Sequence, residues 1–428
     1  MEGSELRGSI GKKGGGEPFR VWHAAVMTVA MAGCLMPVVR GGFGGVVLDA
    51  VTIAYLIPGV GLLAFLWTWL TGLPGILALR RRSQEHWSET ARRLHPHRSG
   101  TAVVVASLPG VLMLAAHLTL GAGAVVLIGI GVVAALGALL GSIPLGLAIG
   151  LRQRILLRHW PKILLGQPSV FYGGILVLMP DVFGWEAWGL FLIVLARVVM
   201  ANLWGVGGLL SAGGLLPAPE KVREVAERLA RDTGTGLRRV VVADTEMAAA
   251  YALPFSKEIL LTRSLVEQFE SAELEAVLAH ELDHLRESRW MTAARVVSAN
   301  AFLPILLVRP LVSEFGNIVL GPLMLWAACM PRIISRWVVR HEVKADSSGA
   351  AADPVAYGRA LLRMHELNLI PAVLTENLSH PNLYDRLQSC GVTPDFPRPA
   401  AAATQSTIGV LTASLLGALG AWVALRRW

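Results

Sequence analysis

Charged residues are scarce in this chain. Of its 428 residues only 16% are Asp, Glu, Lys or Arg, whereas 54% are hydrophobic. A soluble globular protein carries about 25% charged residues. This chain has too few charged residues to cover its apolar surface in water. The composition therefore excludes an ordinary water-soluble fold and predicts a protein that lies largely within a lipid bilayer.

Cysteine is also rare. The three cysteines, Cys34, Cys329 and Cys390, are isolated from one another along the sequence. Such a pattern excludes both a disulfide framework and a metal site built from thiolates.

A nucleic-acid-binding motif of interleaved aromatic and basic residues is missing as well, although the net charge is +8. The Lys and Arg residues occur in clusters that flank apolar segments, where they set membrane topology and meet anionic lipid headgroups. We therefore expect the lipid bilayer, and no nucleic acid, as a partner.

Long apolar runs dominate what is present. A run of about 20 apolar residues is long enough to cross a bilayer as a helix. Candidate runs occupy 21–39, 46–79, 101–120, 123–151, 169–179, 187–210, 296–330 and 407–425. Pro304, Pro310 and Pro322 divide the seventh run into a hairpin of two spans. We therefore expect an α-helical polytopic membrane protein with about 8–9 spans, integral to the cell (plasma) membrane.

The basic residues between these runs predict the orientation. They precede the first run and follow the second and fourth, whereas the connections after the first, third and fifth are nearly free of them. By the positive-inside rule the N terminus is cytoplasmic. After six spans the polar region 217–294 also faces the cytoplasm, and the hairpin returns 332–402 to the same side.

The sequence HELDH at 280–284 is the most informative polar segment. His280 and His284 are four residues apart, so on a helix both imidazoles can reach one metal ion. Glu281 is then placed to take a proton from a metal-bound water. Ser271 is the expected N-cap of this helix. The alternative interpretation is a surface helix with two spare histidines.

A zinc site requires a third ligand. The long HExxHxxGxxH motif is excluded, because Glu287 and Trp290 replace its glycine and its last histidine. Glu342 is the next candidate and could complete a His2Glu site with its fourth position open for water. Asp346, one turn further on, could accept a hydrogen bond from a ligand histidine. The alternative for both carboxylates is a solvated helix face.

Three ordered segments of this chain resemble the integral-membrane zinc metallopeptidases of the CAAX prenyl protease and HtpX heat-shock protease family. They are VLAHELDH at 277–284, EVKAD at 342–346 and SHPNLYDR at 379–386. The resemblance covers about 222–387. It implies one zinc ion per chain, bound by His280, His284 and Glu342.

The same resemblance assigns further roles. Glu281 would be the general base, and His380 and Arg386 would line the cleft and hold the substrate carbonyl. From the residues alone, His380 could equally be part of a structural turn. The resemblance also implies that the edge strand containing Ala249, Ala250, Tyr251 and Ala252 pairs with an extended peptide substrate. An asparagine usual in that segment of the family is absent here, and a half-buried strand is the alternative.

The polar region is expected to form a small α+β, zincin-like metallopeptidase domain at the cytoplasmic face. We predict a helix over 220–231, strands over 239–243 and 258–262, and a helix over 383–389, with the mixed sheet packed on the metal-binding helix. The predicted domains are a disordered cytoplasmic tail (1–19), a six-span membrane domain (20–212), the metallopeptidase domain (213–405, interrupted by the hairpin at about 296–331) and a C-terminal membrane segment (406–428).

The expected function is hydrolysis of peptide bonds in a membrane protein or a membrane-proximal peptide. Two alternatives are open. One is a protease-type sensor of the BlaR kind, which cleaves a cytoplasmic repressor. The segment 379–386, with His-Pro followed by an arginine, favours the CAAX prenyl protease and HtpX family over this sensor. The other is an inactive membrane scaffold, against which the retained Glu281 argues.

Overall fold

The computed structural model describes seven stretches of the chain, namely 50–80, 85–120, 124–149, 168–203, 215–301, 303–375 and 380–403. The predicted tail and the predicted first and last spans lie outside these residues. The description below is confined to these stretches.

Among the described residues, five helices precede the polar region. They are α1 (Ala50–Arg80), α2 (Trp87–Leu120), α3 (Ala124–Ala148), α4 (Pro168–Leu178) and α5 (Trp185–Leu203). Helices α1 and α3 pack closely because glycine lies at their contact. A Cβ atom added at Gly137 would lie 2.1 Å from the carbonyl oxygen of Gly61. Small residues allow such close approach between apolar helices.

Three candidate membrane spans are found among the described residues. They are Thr52–Arg80, Val126–Ala148 and Leu303–Leu323. They agree with the predicted runs 46–79 and 123–151 and with part of the predicted hairpin. The full count of 8–9 spans stays a prediction.

Helix α2 begins earlier than the apolar run suggested. Arg92, Arg93 and Arg98 belong to the connection predicted between the second and third runs, but they lie on α2. The polar first part of α2 packs against the polar region that follows α5, because Ala91 and Leu94 are buried in one cluster with Leu369. Arg98 Nη1 also donates a hydrogen bond to the carbonyl oxygen of Asn368 at 2.8 Å.

The polar region begins with a four-stranded mixed sheet and one helix. Its elements are β1 (Leu215–Pro217), α6 (Glu220–Thr233), β2 (Arg239–Ala243), β3 (Ala250–Leu253) and β4 (Glu258–Thr262). The strand order is β1-β2-β4-β3, with β2 and β4 parallel and the outer pairs antiparallel. Strands β2 and β4 have their predicted bounds, and β3 lies at an edge of the sheet.

Three helices follow the sheet, namely α7 (Arg263–Gln268), α8 (Ser271–Leu285) and α9 (Arg289–Ala299). Helix α8 packs on the sheet through Leu278 and Leu282, beside Ile259 and Leu261 of β4. The predicted Ser271 cap of α8 is wrong.

Glu270 is the N-cap, and it forms a capping box with Glu273: each side chain accepts a hydrogen bond from the other residue's backbone N–H. This arrangement satisfies two N–H groups that the first turn of a helix would otherwise leave unpaired.

The predicted hairpin region is helical but broken. It comprises a 3-10 turn (Leu303–Leu307), α10 (Val308–Phe315), a second 3-10 turn (Gly316–Val319) and α11 (Leu320–Ala350). Gly316 has a positive φ of 72°, which glycine adopts without strain. In α10, the buried Arg309 donates through Nε to Asp181 Oδ1 at 2.8 Å. This ion pair ties the broken segment to the connection between α4 and α5.

Two helices complete the region, α12 (Pro354–Asn368) and α13 (Leu383–Ser389). Helix α13 has the predicted bounds. Tyr357 and Leu361 of α12 are buried with Ala276 of α8 and with Leu383 and Leu387 of α13. Helices α8, α11, α12 and α13 thereby bring their polar side chains to one place.

Candidate metal centre and substrate cleft

His280, His284 and Glu342 lie together, as the sequence predicted for a metal site. One ligand atom from each residue lies within 4.8 Å of the others. The Nε2 atoms of the histidines are 3.2 Å apart. The carboxylate of Glu342 places Oε1 3.5 Å from His284 Nε2 and Oε2 3.8 Å from His280 Nε2.

These spacings fit zinc. Zinc–nitrogen and zinc–oxygen bonds of about 2.0–2.1 Å in a tetrahedron place neighbouring ligand atoms about 3.3–3.4 Å apart. The 3.2 Å and 3.5 Å spacings lie close to that value, whereas the 3.8 Å spacing from His280 is longer and involves the other oxygen of Glu342. Two imidazoles and one carboxylate are also the donor set of a zinc site that leaves a fourth position open. That these residues bind the ion stays a prediction.

The Nδ1 atom of His280 is held by buried polar groups. It lies 2.8 Å from the hydroxyl oxygen of Tyr357 and 3.3 Å from Asp346 Oδ1. The Tyr357 hydroxyl donates to Asp346 Oδ1 at 2.7 Å, so it accepts from Nδ1–H of His280. That contact fixes the tautomer that leaves Nε2 free to bind a metal ion.

His284 has a partner of the same kind. Its Nδ1 atom lies 2.7 Å from Glu287 Oε1, which also accepts a hydrogen bond from Arg295 Nη2 at 2.7 Å. Arg295 Nη2 lies 3.3 Å from Glu342 Oε1 as well. Glu287 therefore orients one ligand histidine, and Arg295 links it to the third candidate ligand.

The pKa values of two groups in the site lie far from their ordinary values. Burial lowers the pKa of His284, but the hydrogen bonds to Glu287 and Glu342 outweigh burial and raise this pKa to about 10. Burial raises the pKa of Glu342, but the hydrogen bonds from His284 and His380 outweigh it and hold the pKa well below its usual range. Glu342 therefore stays ionised, which a metal ligand requires.

Arg386 is buried beside Asp346. Its Nε and Nη2 atoms donate to the two carboxylate oxygens of Asp346 at 2.9 Å and 2.6 Å. Nη2 also lies 3.1 Å from the Tyr357 hydroxyl. Burial raises the pKa of Asp346, but the contacts with His280 and Arg386 outweigh it and lower the pKa below its usual range.

His380 is more accessible. Its side chain is 53% exposed, and its Nδ1 atom lies 2.8 Å from Glu342 Oε2. It therefore combines contact with a candidate ligand and access to the solvent side of the site.

A cavity of about 460 Å³ opens beside these residues. His280, Glu281, His380 and Arg386 line it, together with the segment Met247–Tyr251 at the start of β3. Apolar side chains provide further walls, namely Val277, Leu361, Met364, Ile370 and Leu374. The catalytic candidates and the predicted substrate strand therefore face the same space.

A search against protein families matches residues 218–391 to Peptidase family M48. This region is thus similar to an M48 peptidase domain, and we call residues 218–391 the M48 domain. The matched region begins before α6, includes the broken helical segment 303–350 and ends after α13. The M48 domain therefore contains all of the site residues described above, and the match to this family indicates a metalloprotease.

Curated relatives agree with this assignment. The chain is 30% identical over 166 residues to a protease HtpX homolog of Acidiphilium cryptum and 31% identical over 170 residues to one of Aeropyrum pernix. Each match covers 35% of this chain, and 57% and 53% of those proteins, respectively. The plastoglobule-localized metallopeptidase 48 of Arabidopsis thaliana is 29% identical over 130 residues, which is 29% of this chain and 33% of that protein. The chain thus spans about a third to just over half of the relatives it matches.

Three residues that contact the candidate metal ligands were not predicted from the sequence, namely Glu287, Tyr357 and Arg295. Glu287 was used only to exclude another motif, although a carboxylate three residues after a ligand histidine is one turn away and can reach its ring. Tyr357 has the appearance of an ordinary core residue in an amphipathic helix. Arg295 lies at the start of an apolar run and carried no signal.

Proposed function

We propose that this chain is a membrane-embedded, zinc-dependent endopeptidase that hydrolyses peptide bonds of membrane-associated or membrane-proximal proteins. One observation carries the proposal. The donor atoms of His280, His284 and Glu342 lie within 4.8 Å of one another, and His280 borders the same cavity as Glu281 and the start of the edge strand β3.

Proton transfer is the role we assign to Glu281. Zinc, when bound by the three ligands, supplies a Lewis acid that acidifies water and polarises a carbonyl group. Glu281 follows His280 directly and lines the cavity, so its carboxylate can accept the proton of the attacking water. The same carboxylate then delivers this proton to the leaving amine.

His380 and Arg386 have different roles in this proposal. His380 is exposed to the cavity, and we assign it as a donor to the oxyanion that develops on the substrate carbonyl. Arg386 lines the cavity but is engaged by Asp346, so its main contribution is to hold that carboxylate behind His280.

The edge strand β3 is the proposed binding site for the substrate backbone. Its inner side pairs with β4, and among the described residues no strand lies on its outer side. An extended peptide can add to such an edge through main-chain hydrogen bonds. The segment at the start of β3 borders the cavity, so a bound peptide would pass the candidate metal centre.

The proposed setting is a multi-pass protein of the plasma membrane with its M48 domain in the cytoplasm. Support comes from the basic residues between the apolar runs. It also comes from α2, whose basic start packs against the M48 domain. The domain and that basic segment therefore belong on the same side of the bilayer.

Purified, detergent-solubilised protein tests the proposal. We expect about one zinc per chain, together with cleavage of casein or self-cleavage that a chelator abolishes and added zinc restores. Glu342→Ala should lose both zinc and cleavage, whereas Glu267→Ala, which removes an exposed carboxylate near α8, should retain both. Wild-type protein that binds no zinc, or that cleaves equally well without it, would refute the zinc peptidase assignment.

A further inference from the structure

One side chain binds both backbone groups of Ala248, just before the edge strand. The N–H of Ala248 donates to Asn368 Oδ1 at 3.0 Å, and Asn368 Nδ2 donates to the carbonyl oxygen of Ala248 at 2.6 Å. A carboxamide offers the same donor and acceptor as a peptide group. Asn368 therefore meets Ala248 as a residue of a neighbouring strand would.

The pairing of β3 with β4 shows which way the edge faces. Thr262 N–H donates to the carbonyl oxygen of Ala249 at 3.0 Å, and Ala249 N–H donates to Thr262 Oγ1 at 2.9 Å, so Ala249 faces β4. Residues facing inward and outward alternate along an antiparallel strand. Ala248, Ala250 and Ala252 therefore direct their backbone groups to the outer side, where a substrate would bind.

We propose that Asn368 limits the length over which a substrate can pair with β3. Its carboxamide closes the outer edge at Ala248 and leaves Ala250 and Ala252 for the substrate backbone. The inference rests on the proposed function, because it concerns the substrate of the same cleft. Asn368 acts here as a positioning residue that selects how many substrate residues are bound.

Asn368 is held firmly enough for this role. It is the last residue of α12, and its own carbonyl oxygen accepts a hydrogen bond from Arg98 of α2 at 2.8 Å. The next residue, Leu369, has a left-handed backbone with φ of 48° and is buried against Leu94 and Ala91 of α2. Contacts from α2 therefore fix the backbone from which the Asn368 side chain reaches Ala248.

A nested peptide series tests the proposal on full-length protein in detergent. A peptide cut at one bond, identified by mass spectrometry, is extended one residue at a time from each end, and kcat/KM is measured for each length. For wild type, we expect kcat/KM to stop rising once the peptide reaches the closed end of the edge. In Asn368→Ala, peptides longer than this limit should gain roughly tenfold through added main-chain hydrogen bonds, whereas shorter peptides change little.

Two further variants control the experiment. Asn368→Asp cannot donate to the Ala248 carbonyl oxygen, so it should extend the limit in the same direction. Glu366→Ala alters an exposed side chain near the end of the same helix and should leave the length dependence unchanged. Zinc content and thermal unfolding verify that each variant is folded.

The outcomes separate this inference from the proposed function. If wild type cuts no peptide in a zinc-dependent manner, the proposed function itself fails. If wild type cuts but Asn368→Ala has the same length limit, the inference is overturned and the peptidase assignment stands. A uniform loss for all peptide lengths in the folded Asn368 variants would also overturn it, since this result indicates only a structural brace.

Discussion

Arg386 and Asp346 form a buried, two-point ion pair next to the candidate metal centre. Arg386 Nε and Nη2 donate to separate oxygens of Asp346, which also accepts a hydrogen bond from the Tyr357 hydroxyl. Tyr357 in turn contacts Nδ1 of His280. A continuous set of hydrogen bonds thus connects an arginine on α13 with a candidate zinc ligand on α8.

Removing Arg386 should destabilise the domain. Arg386→Met leaves the carboxylate of Asp346 buried without its partner, which costs about 3–5 kcal/mol of unfolding free energy. Arg398→Met breaks a half-exposed pair with Asp385 and should cost no more than about 1 kcal/mol. Denaturant unfolding in detergent gives both values. Unchanged stability together with a selective loss of kcat would show instead that Arg386 acts on the substrate.

The Tyr357 hydroxyl should strengthen zinc binding. Tyr357→Phe removes the acceptor for His280 Nδ1–H while keeping the ring, and the loss of such a partner typically weakens metal affinity about 10–100-fold. Competition with a zinc chelator measures the affinity. Tyr384→Phe changes a tyrosine that packs against Phe396 and should bind zinc like wild type. Equal affinity in both variants would mean that Asp346 orients His280 without the tyrosine.

Glu287 should support the second histidine in the same way. Glu287→Gln replaces the carboxylate that holds His284 Nδ1 with a neutral amide, so zinc affinity should again fall about 10–100-fold. Glu275 lies on the same helix as His284 but pairs with Arg228 near the surface, so Glu275→Gln should leave the affinity unchanged. Chelator competition on the two variants distinguishes a role in the site from a general effect of lost charge.

Gly349 should be required for the position of Tyr357. A Cβ atom at Gly349 would lie 2.6 Å from a ring carbon of Tyr357, so Gly349→Ala must displace the ring and disturb its hydrogen bonds. We expect weaker zinc binding and about 1–3 kcal/mol lower stability from overpacking. Gly321→Ala, on the same helix but with no atom within 4 Å, should do neither. A Gly349→Ala protein with wild-type zinc affinity would contradict this packing.

Local sequence patterns predicted much of the M48 domain. The strands at 239–243 and 258–262 and the helix at 383–389 were predictable because apolar residues there recur at strand or helix spacing between turn residues. The His280 and His284 pair followed from four-residue spacing. Glu342 was harder to predict as the third ligand, because spacing within one helix does not reveal which distant helix packs against it. The family resemblance supplied the order of the three segments along the chain.

The remaining features depend on tertiary contacts. The N-cap of α8 is Glu270 and not the predicted Ser271. Either residue could cap the helix, and the reciprocal hydrogen bonds between Glu270 and Glu273 decide between them. The polar start of α2 looked like a connection, since its packing partner Leu369 lies far along the chain. Asn368 gave no signal for the same reason, as its contact with Ala248 joins residues 120 positions apart.

The most direct test of the central claim is proteolysis by Glu281→Gln. The variant keeps the size of the side chain but cannot accept a proton, so it should bind one zinc per chain like wild type and lose at least about a hundredfold in the rate of peptide cleavage. Zinc content and cleavage are measured on the same detergent-solubilised preparation. Wild-type cleavage by zinc-loaded Glu281→Gln would contradict the account, because the proton transfer assigned to Glu281 would then be dispensable.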